Sequence, residues 1–178
     1  MIFQNPLLKG TLVRRYKRFF AEIILNNGET IIAHCPNSGS MLSLLEAGSE
    51  AWVSQAKNPK RKLKYTWELI RIGGVMIGVN TSHPNALVAD AISQGAISEL
   101  RGYQILRREV KYGKNSRIDI LLEKVNGTKC YVEVKNVTMK RSLDSNAPAE
   151  FPDSVTVRGV KHLQELSQMT AKGHRSVL

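Results

Sequence analysis

Apolar and polar positions change rhythm about halfway along the chain. Over 11–25, 29–34, 49–55, 63–72 and 75–79, β-branched, aromatic and aliphatic residues alternate or cluster in short runs, separated by Asn26-Asn27-Gly28 and Gly73-Gly74 among other breaks. Short runs of this kind bounded by turn residues predict strands, and 11–25 with 29–34 reads as a hairpin. Some five short strands with little helical periodicity predict a small closed or partly closed barrel, for which an OB-like fold is the best fit. Such barrels bind nucleic-acid strands, sugars or proteins, so the fold alone leaves the ligand open.

Thr81-Ser82-His83-Pro84-Asn85 marks a boundary, dividing the chain into an OB-like domain, 1–82, and a second domain, 83–178. There the period lengthens. A helix is predicted over 86–94, with Asn85 as its N-cap and Gly95 as its stop. Strand-like runs follow at 103–110, 117–122 and 130–137, then a Pro/Ser/Asn-rich stretch over 142–152. A second helix is predicted over 158–172. Leu163, Leu166 and Met169 form its apolar side, Arg158, Lys161, His162, Glu165 and Gln168 lie on or near the other, and Gly173 ends it. The run from His174 to Leu178 reads as a strand cut short.

The candidate chemistry lies in the middle strands of this second half. Asp119 falls in one run, and Glu133-Val134-Lys135 near the middle of the next. Residues two apart on a strand share a face, so Glu133 and Lys135 lean over the same groove. Two carboxylates and a lysine on one face suit metal-assisted phosphodiester hydrolysis; the same residues also suit an ordinary cross-strand ion pair. Register decides whether Asp119 joins them. A two-residue Asn126-Gly127 turn sets Asp119 against Val134, whereas a three-residue loop, 125–127, with Gly127 in a left-handed bulge, sets it against Glu133. The catalytic reading requires the second register. Glu99 is a candidate third carboxylate, with a surface cap or ion pair as its other reading.

Charge narrows the partners. The chain has 178 residues and a net charge of +11, and 42% of it is hydrophobic, enough for real cores. A basic balance favours polyanions. Arg14, Arg15, Tyr16, Lys17 and Arg18 run into Phe19 and Phe20, interleaving cations with aromatics in a pattern suited to phosphate contact and base stacking. Lys60, Arg61 and Lys62 form a denser run suited to backbone phosphates. Both segments also read as solvated faces of a barrel. No apolar run is long enough to span a bilayer and the first residues lack a secretory pattern, so no membrane role and a cytoplasmic location are expected. Cys35 and Cys130 have no zinc-type companions and read as reduced. His34 beside Cys35 makes no credible catalytic pair, because neighbouring strand residues point in opposite directions.

Several stretches together resemble the sugar fermentation stimulation protein A family. They are Cys35–Met41 (CPNSGSM), Asn58–Lys62 (NPKRK), Gly78–Thr81 (GVNT), Tyr131–Thr138 (YVEVKNVT), Phe151–Thr156 (FPDSVT) and Arg158–Leu163 (RGVKHL). The resemblance runs from about Pro6 to Leu178. It implies an OB-like barrel followed by an α/β PD-(D/E)xK nuclease-like domain, truncated here at its C-terminal end. It also implies non-specific DNA binding linked to maltose or sugar-utilisation genes. The nuclease motif then falls on Asp119, Glu133 and Lys135. Where the family pattern has Thr and then a basic residue, this chain has Ser38 and Ser40, and the missing basic side chain at Ser40 is expected to weaken a phosphate contact in that loop while the loop fold survives.

The expected function is therefore binding or hydrolysis of a DNA backbone at a Mg²⁺ site, with Mn²⁺ as a substitute. Asp119, Glu133 and the Val134 carbonyl would supply oxygen ligands. Lys135 would orient water or neutralise developing charge. Arg14–Arg18, Lys60–Lys62, Arg158 and Lys161 would contact DNA. The alternative is a catalytically silent DNA-binding regulator of sugar (maltose) metabolism genes.

Overall fold

In a computed structural model, the described residues are 3, 5–142, 146–152 and 156–178. Parts of the expected 142–152 stretch and of the 151–156 motif lie outside them. The chain forms two compact units, residues 1–81 with 137–154, and 82–136 with 155–178. The segment 137–154 thus belongs with the first unit, where a linear division at 82 assigns it to the second.

The first unit is a barrel. β1 (Leu8–Tyr16), β2 (Phe20–Leu25), β3 (Thr30–His34), β4 (Glu50–Gln55) and β5 (Tyr65–Ile72) lie in the order β3-β2-β1-β4-β5, and β3 pairs with β5 in parallel to close it. β6 (Val75–Gly78) extends β5 as an antiparallel hairpin. Inward positions of the alternating strands build the core: Leu12, Ala21, Ile23, Ala33, Val53, Trp67 and Ile70 are all buried. The stretch 11–25 is two strands rather than one. Its turn is at Lys17 and Arg18, which take left-handed φ values of 47° and 63°, a conformation usually signalled by Gly or Asn, so the residues there gave no hint of it.

The second unit sandwiches a sheet between helices. α1 (Pro84–Ser93) packs Ala89 against Ile120, Leu122, Cys130 and Val132. β7 (Ile105–Tyr112), β8 (Ser116–Glu123) and β9 (Lys129–Val132) form an antiparallel meander. α2 (Val157–Ala171) sets Leu166 and Met169 on Ile118, Leu121 and Tyr131. β10 (Arg175–Val177) then pairs in parallel with β9. The expected order of helix, three strands, helix and strand is present.

Two helix details differ from the sequence reading. His83, not Asn85, is the N-cap of α1, because Pro84 takes the first helical position and moves the start back. The buried side of α2 carries His162, Glu165, Leu166 and Met169, whereas Leu163 is 49% exposed. The inward face is thus rotated toward residues that look like a solvent face. Thr156 caps α2 by accepting the Gly159 N–H at 3.0 Å. No helix among the described residues is long and apolar enough to cross a membrane.

Candidate functional site

The β8–β9 register pairs Ile120 with Val132, Leu121 with Tyr131 and Leu122 with Cys130. Its next step sets Asp119 against Glu133. The connection is the three-residue loop 125–127: Lys124 N–H donates to the Thr128 carbonyl, and Gly127 sits at φ 83°. β9 ends at Val132, so Glu133 and Lys135 occupy the strand's exit rather than its middle. There Glu133 donates its backbone N–H to the Val177 carbonyl at 2.9 Å, so β10 takes over support of the chain. Asp119 fixes the following residue, accepting the Val134 N–H on Oδ2 at 2.8 Å. Its Oδ1 accepts from Asn85 Nδ2 of α1 at 2.7 Å.

Glu133 is only 3% exposed. Lys135 Nζ and His162 Nδ1 both reach its Oε1, each at 2.5 Å. Its Oε2 is buried without a hydrogen-bond partner among the described residues. A buried carboxylate is tolerable only when paired, and here lysine and histidine supply that pairing from one side. α2 adds Glu165, whose Oε1 accepts the Lys114 N–H at 2.9 Å and whose Oε2 is also unpartnered among the described residues. The Tyr112 hydroxyl is buried and unpartnered as well. Burial, followed by the negative charges of Glu133, Glu165 and Asp119, pushes that phenol up to about 12. One face therefore concentrates acceptor oxygens with negative charge.

These donors fit a hard, oxygen-seeking cation. Each carboxylate oxygen has about two acceptor sites, so Glu133 Oε2 and the less-used lone pairs of Asp119 have unfilled capacity. Among the described residues no group of three or more His, Cys, Asp and Glu side chains could hold a metal. A site with two carboxylates suits Mg²⁺, which commonly keeps several waters and takes only one or two protein carboxylates. It does not suit a zinc-type cage.

Glu99 stands apart from the contacts that gather Asp119, Glu133 and Lys135. It is exposed in a short 3-10 turn, and accepts from Ser98 Oγ at 2.8 Å. Hydrogen bonds from its own backbone N–H and from Ser98 hold its carboxyl below the usual range. On α2, Arg158 is exposed, while Lys161 lies 3.9 Å from Glu165 Oε1.

The basic residues of the first unit divide by what already holds them. Arg15 donates to the carbonyls of Arg18, Asn37, Gly39 and Ser40, so its guanidinium ties the 37–40 loop to β1. Arg14 pairs with Glu22 at 2.6 Å and lies 5.2 Å from the Tyr16 ring centre. Arg61 donates to Thr66 Oγ1 at 2.9 Å. Lys17, Arg18, Lys60 and Lys62 are exposed. Asn85, Tyr112, His162 and Glu165 were not singled out by sequence reasoning as site residues. A cap position, a strand end and a helix's polar side conceal them, and their only shared signal is that each belongs to an element flanking the Asp119 and Glu133 strands.

Comparison with known proteins adds a family context. A profile described as the sugar fermentation stimulation protein RE domain matches residues 82–178, and one described as the SfsA N-terminal OB domain matches residues 13–79. A sugar fermentation stimulation protein homolog from Rhodospirillum rubrum is 56% identical over 185 residues, covering 100% of this chain and 76% of that protein. Its counterpart from Geobacter sulfurreducens is 49% identical over 178 residues, covering 100% and 74%. The solved structure of Pyrococcus furiosus SfsA in complex with Ca²⁺ superposes with a TM-score of 0.83 at 24% identity, covering 99% of this chain and 73% of that one.

Proposed function

The chain belongs to the sugar fermentation stimulation protein family, and from that premise we propose that it binds DNA without sequence preference and hydrolyses its backbone at a Mg²⁺ site on Asp119 and Glu133. The observation that carries this reading is the buried, unpartnered Oε2 of Glu133, opposite Asp119 and beside Lys135. The Ca²⁺ of the Pyrococcus furiosus relative is in keeping with an oxygen donor set.

Asp119, Glu133 and the Val134 carbonyl are the residues that would hold the cation. When bound, it supplies Lewis-acid polarisation of the phosphate and a lowered pKa for an attacking water. The chain's own residues preset the rest. Asn85 and the Val134 N–H fix both oxygens of Asp119, so its carboxylate need not reorganise. Lys135 brings an ammonium to the edge of the site, where it neutralises negative charge developing on the phosphate. His162 keeps a partner on Glu133 Oε1 if Lys135 swings toward DNA, so the buried charge is not stranded. Exposed Lys17, Arg18, Lys60, Lys62 and Arg158 make none of the side-chain bonds that hold Arg15 among the described residues, and suit phosphate contact.

Purified protein with supercoiled plasmid and Mg²⁺ should yield nicked and linear DNA, abolished by EDTA and by Asp119→Asn. Lys135→Ala should lower turnover by about 10²-fold or more while leaving affinity for DNA nearly unchanged. Cleavage that persists in both variants rules out this site. A second reading has one observation in its favour: Lys135 and His162 both already bond Oε1 of Glu133, so the buried carboxylate has partners without a metal ion. A silent DNA-binding regulator of sugar (maltose) metabolism genes would bind DNA in a salt-sensitive way and leave the plasmid intact.

A further inference from the structure

The outer face of β1, β2 and β3 carries a row of rings that the candidate cleavage site does not use. Inward positions of β2 and β3, Ala21, Ile23, Ile31 and Ala33, fill the barrel core, so Phe20 and His34 turn outward by strand alternation. Tyr16 stacks on Phe20 with ring centres 5.3 Å apart and planes 16° off parallel. Phe20 is the cross-strand partner of His34. His34 in turn stacks with Phe19 at 6.5 Å and 18°. Two stacked ring pairs thus lie side by side across three strands, joined by the Phe20 and His34 pairing, and Phe19 is 46% exposed.

Cations flank this row. Lys17 and Arg18 are exposed in the tight β1–β2 turn immediately before Phe19. At the His34 end, the parallel pairing of His34 with Thr66 brings in Arg61, which Thr66 Oγ1 holds at 2.9 Å. Arg61 is close enough to His34 to disfavour its protonation, adding to the larger effect of burial. Both effects favour the neutral ring, which presents a π surface rather than a second charge. Lys60 and Lys62 are exposed on either side of Arg61. Glu22 is the acid on this outer face of β2, and Arg14 neutralises it at 2.6 Å.

We infer that this row is a binding platform for single-stranded DNA, with bases stacking on Phe19, His34, Phe20 and Tyr16, and phosphates held by Lys17, Arg18, Lys60 and Lys62. The inference rests on the DNA reading above and specifies which form of DNA the first unit takes. Phe19 leaves a π face in water beside the half-buried Tyr16, Phe20 and His34, and bases stack on such faces without regard to sequence. Duplex DNA keeps its bases stacked on each other and has no face to offer the rings. The cations match a polyanion running beside the row, so charge and shape select the same occupant.

Fluorescence-anisotropy titration with a labelled oligothymidylate of about twelve nucleotides tests the platform. Wild type should hold the single strand into salt concentrations that release a duplex of equal length. Phe19→Ala should weaken single-strand binding by about tenfold with the duplex affinity little changed; since Phe19 is outside the core, its thermal unfolding should match wild type. Lys17→Ala with Arg18→Ala should instead flatten the salt dependence for both DNA forms. Photocrosslinking with 5-iodouracil in the same oligonucleotide should label residues of the row. Equal single-strand affinity in wild type and Phe19→Ala, or crosslinks confined to residues outside the first unit, overturns the platform. Plasmid nicking separates the two readings: nicking that survives while single-strand binding fails removes the platform alone. Single-strand binding that survives Asp119→Asn while nicking is absent in wild type removes the cleavage reading alone.

Discussion

His162 lies on α2 with its Nδ1 2.5 Å from Oε1 of Glu133, a buried contact between residues 29 positions apart in sequence. Removing the imidazole leaves the carboxylate with Lys135 as its side-chain partner. His162→Ala should therefore destabilise the fold by about 1–3 kcal/mol. In a Glu133→Gln background the same change should cost less, because the charge is gone. Urea unfolding of the four proteins in that cycle measures the coupling, and additive effects would contradict it.

Metal addition should act on stability through the same carboxylate. At about 100 times its dissociation constant, a ligand confined to the native state adds about 2.7 kcal/mol. Mg²⁺ or Ca²⁺ should raise the melting temperature of wild type but not of Glu133→Gln or Asp119→Asn. Thermal scans with added cation and then EDTA read this without requiring any DNA.

Asn85 is expected to behave as a positioning residue. Asn85→Ala leaves Asp119 with the Val134 N–H but frees Oδ1, so cation affinity or turnover should fall by about 10-fold or more. Asn85→Asp should be worse, since it sets a second negative charge against Asp119. Calorimetric cation titrations of both variants would decide, and unchanged affinity in Asn85→Asp would remove Asn85 from the site.

The phenol of Tyr112 should ionise late. Its ordinary value is 10.0, and burial with neighbouring carboxylates raises it to about 12. Because the folded value lies above the unfolded one, the neutral phenol's contribution to stability is complete below pH 10 and is lost as pH rises through 12. Ultraviolet absorbance titration should show a late tyrosinate step that is missing in Tyr112→Phe.

Gly113 is expected to tolerate no side chain. Its φ is 56°, and an added Cβ would lie 2.7 Å from Glu165 Oε1. Gly113→Ala should cost about 1–2 kcal/mol from the backbone alone, and the crowding should loosen the Glu165 bond to Lys114. Denaturation midpoints and hydrogen exchange at Lys114 would both report the change.

The β8–β9 pairing was legible in sequence because Asn126-Gly127 limited the connection to two registers, and only one joined the carboxylates. The barrel was legible from alternation and turn residues, except where Lys17 and Arg18 adopt left-handed backbone without Gly or Asn to signal it. The inward face of α2 was not. His162 and Glu165 are polar, and hydrophobic periodicity places such residues in water; here Glu133 and the Lys114 N–H provide the partners that permit burial. Likewise Asn85 resembles a cap until its amide is seen to meet a carboxylate 34 positions away.

The segment 137–154 has a bearing on how the molecule is made. Ser43 Oγ hydrogen-bonds the Lys140 carbonyl at 3.0 Å, and Lys140 N–H returns to Ser43 Oγ at 3.2 Å, across 97 positions. On the ribosome, the five barrel strands are complete long before Lys140 emerges. The intervening strands β7, β8 and β9, with the Asp119 and Glu133 pair, are translated in that interval. Domains generally fold as units during synthesis, yet here part of the first unit is encoded after Asp119 and Glu133. A stop or frameshift between those positions would release a barrel lacking the Ser43–Lys140 contacts.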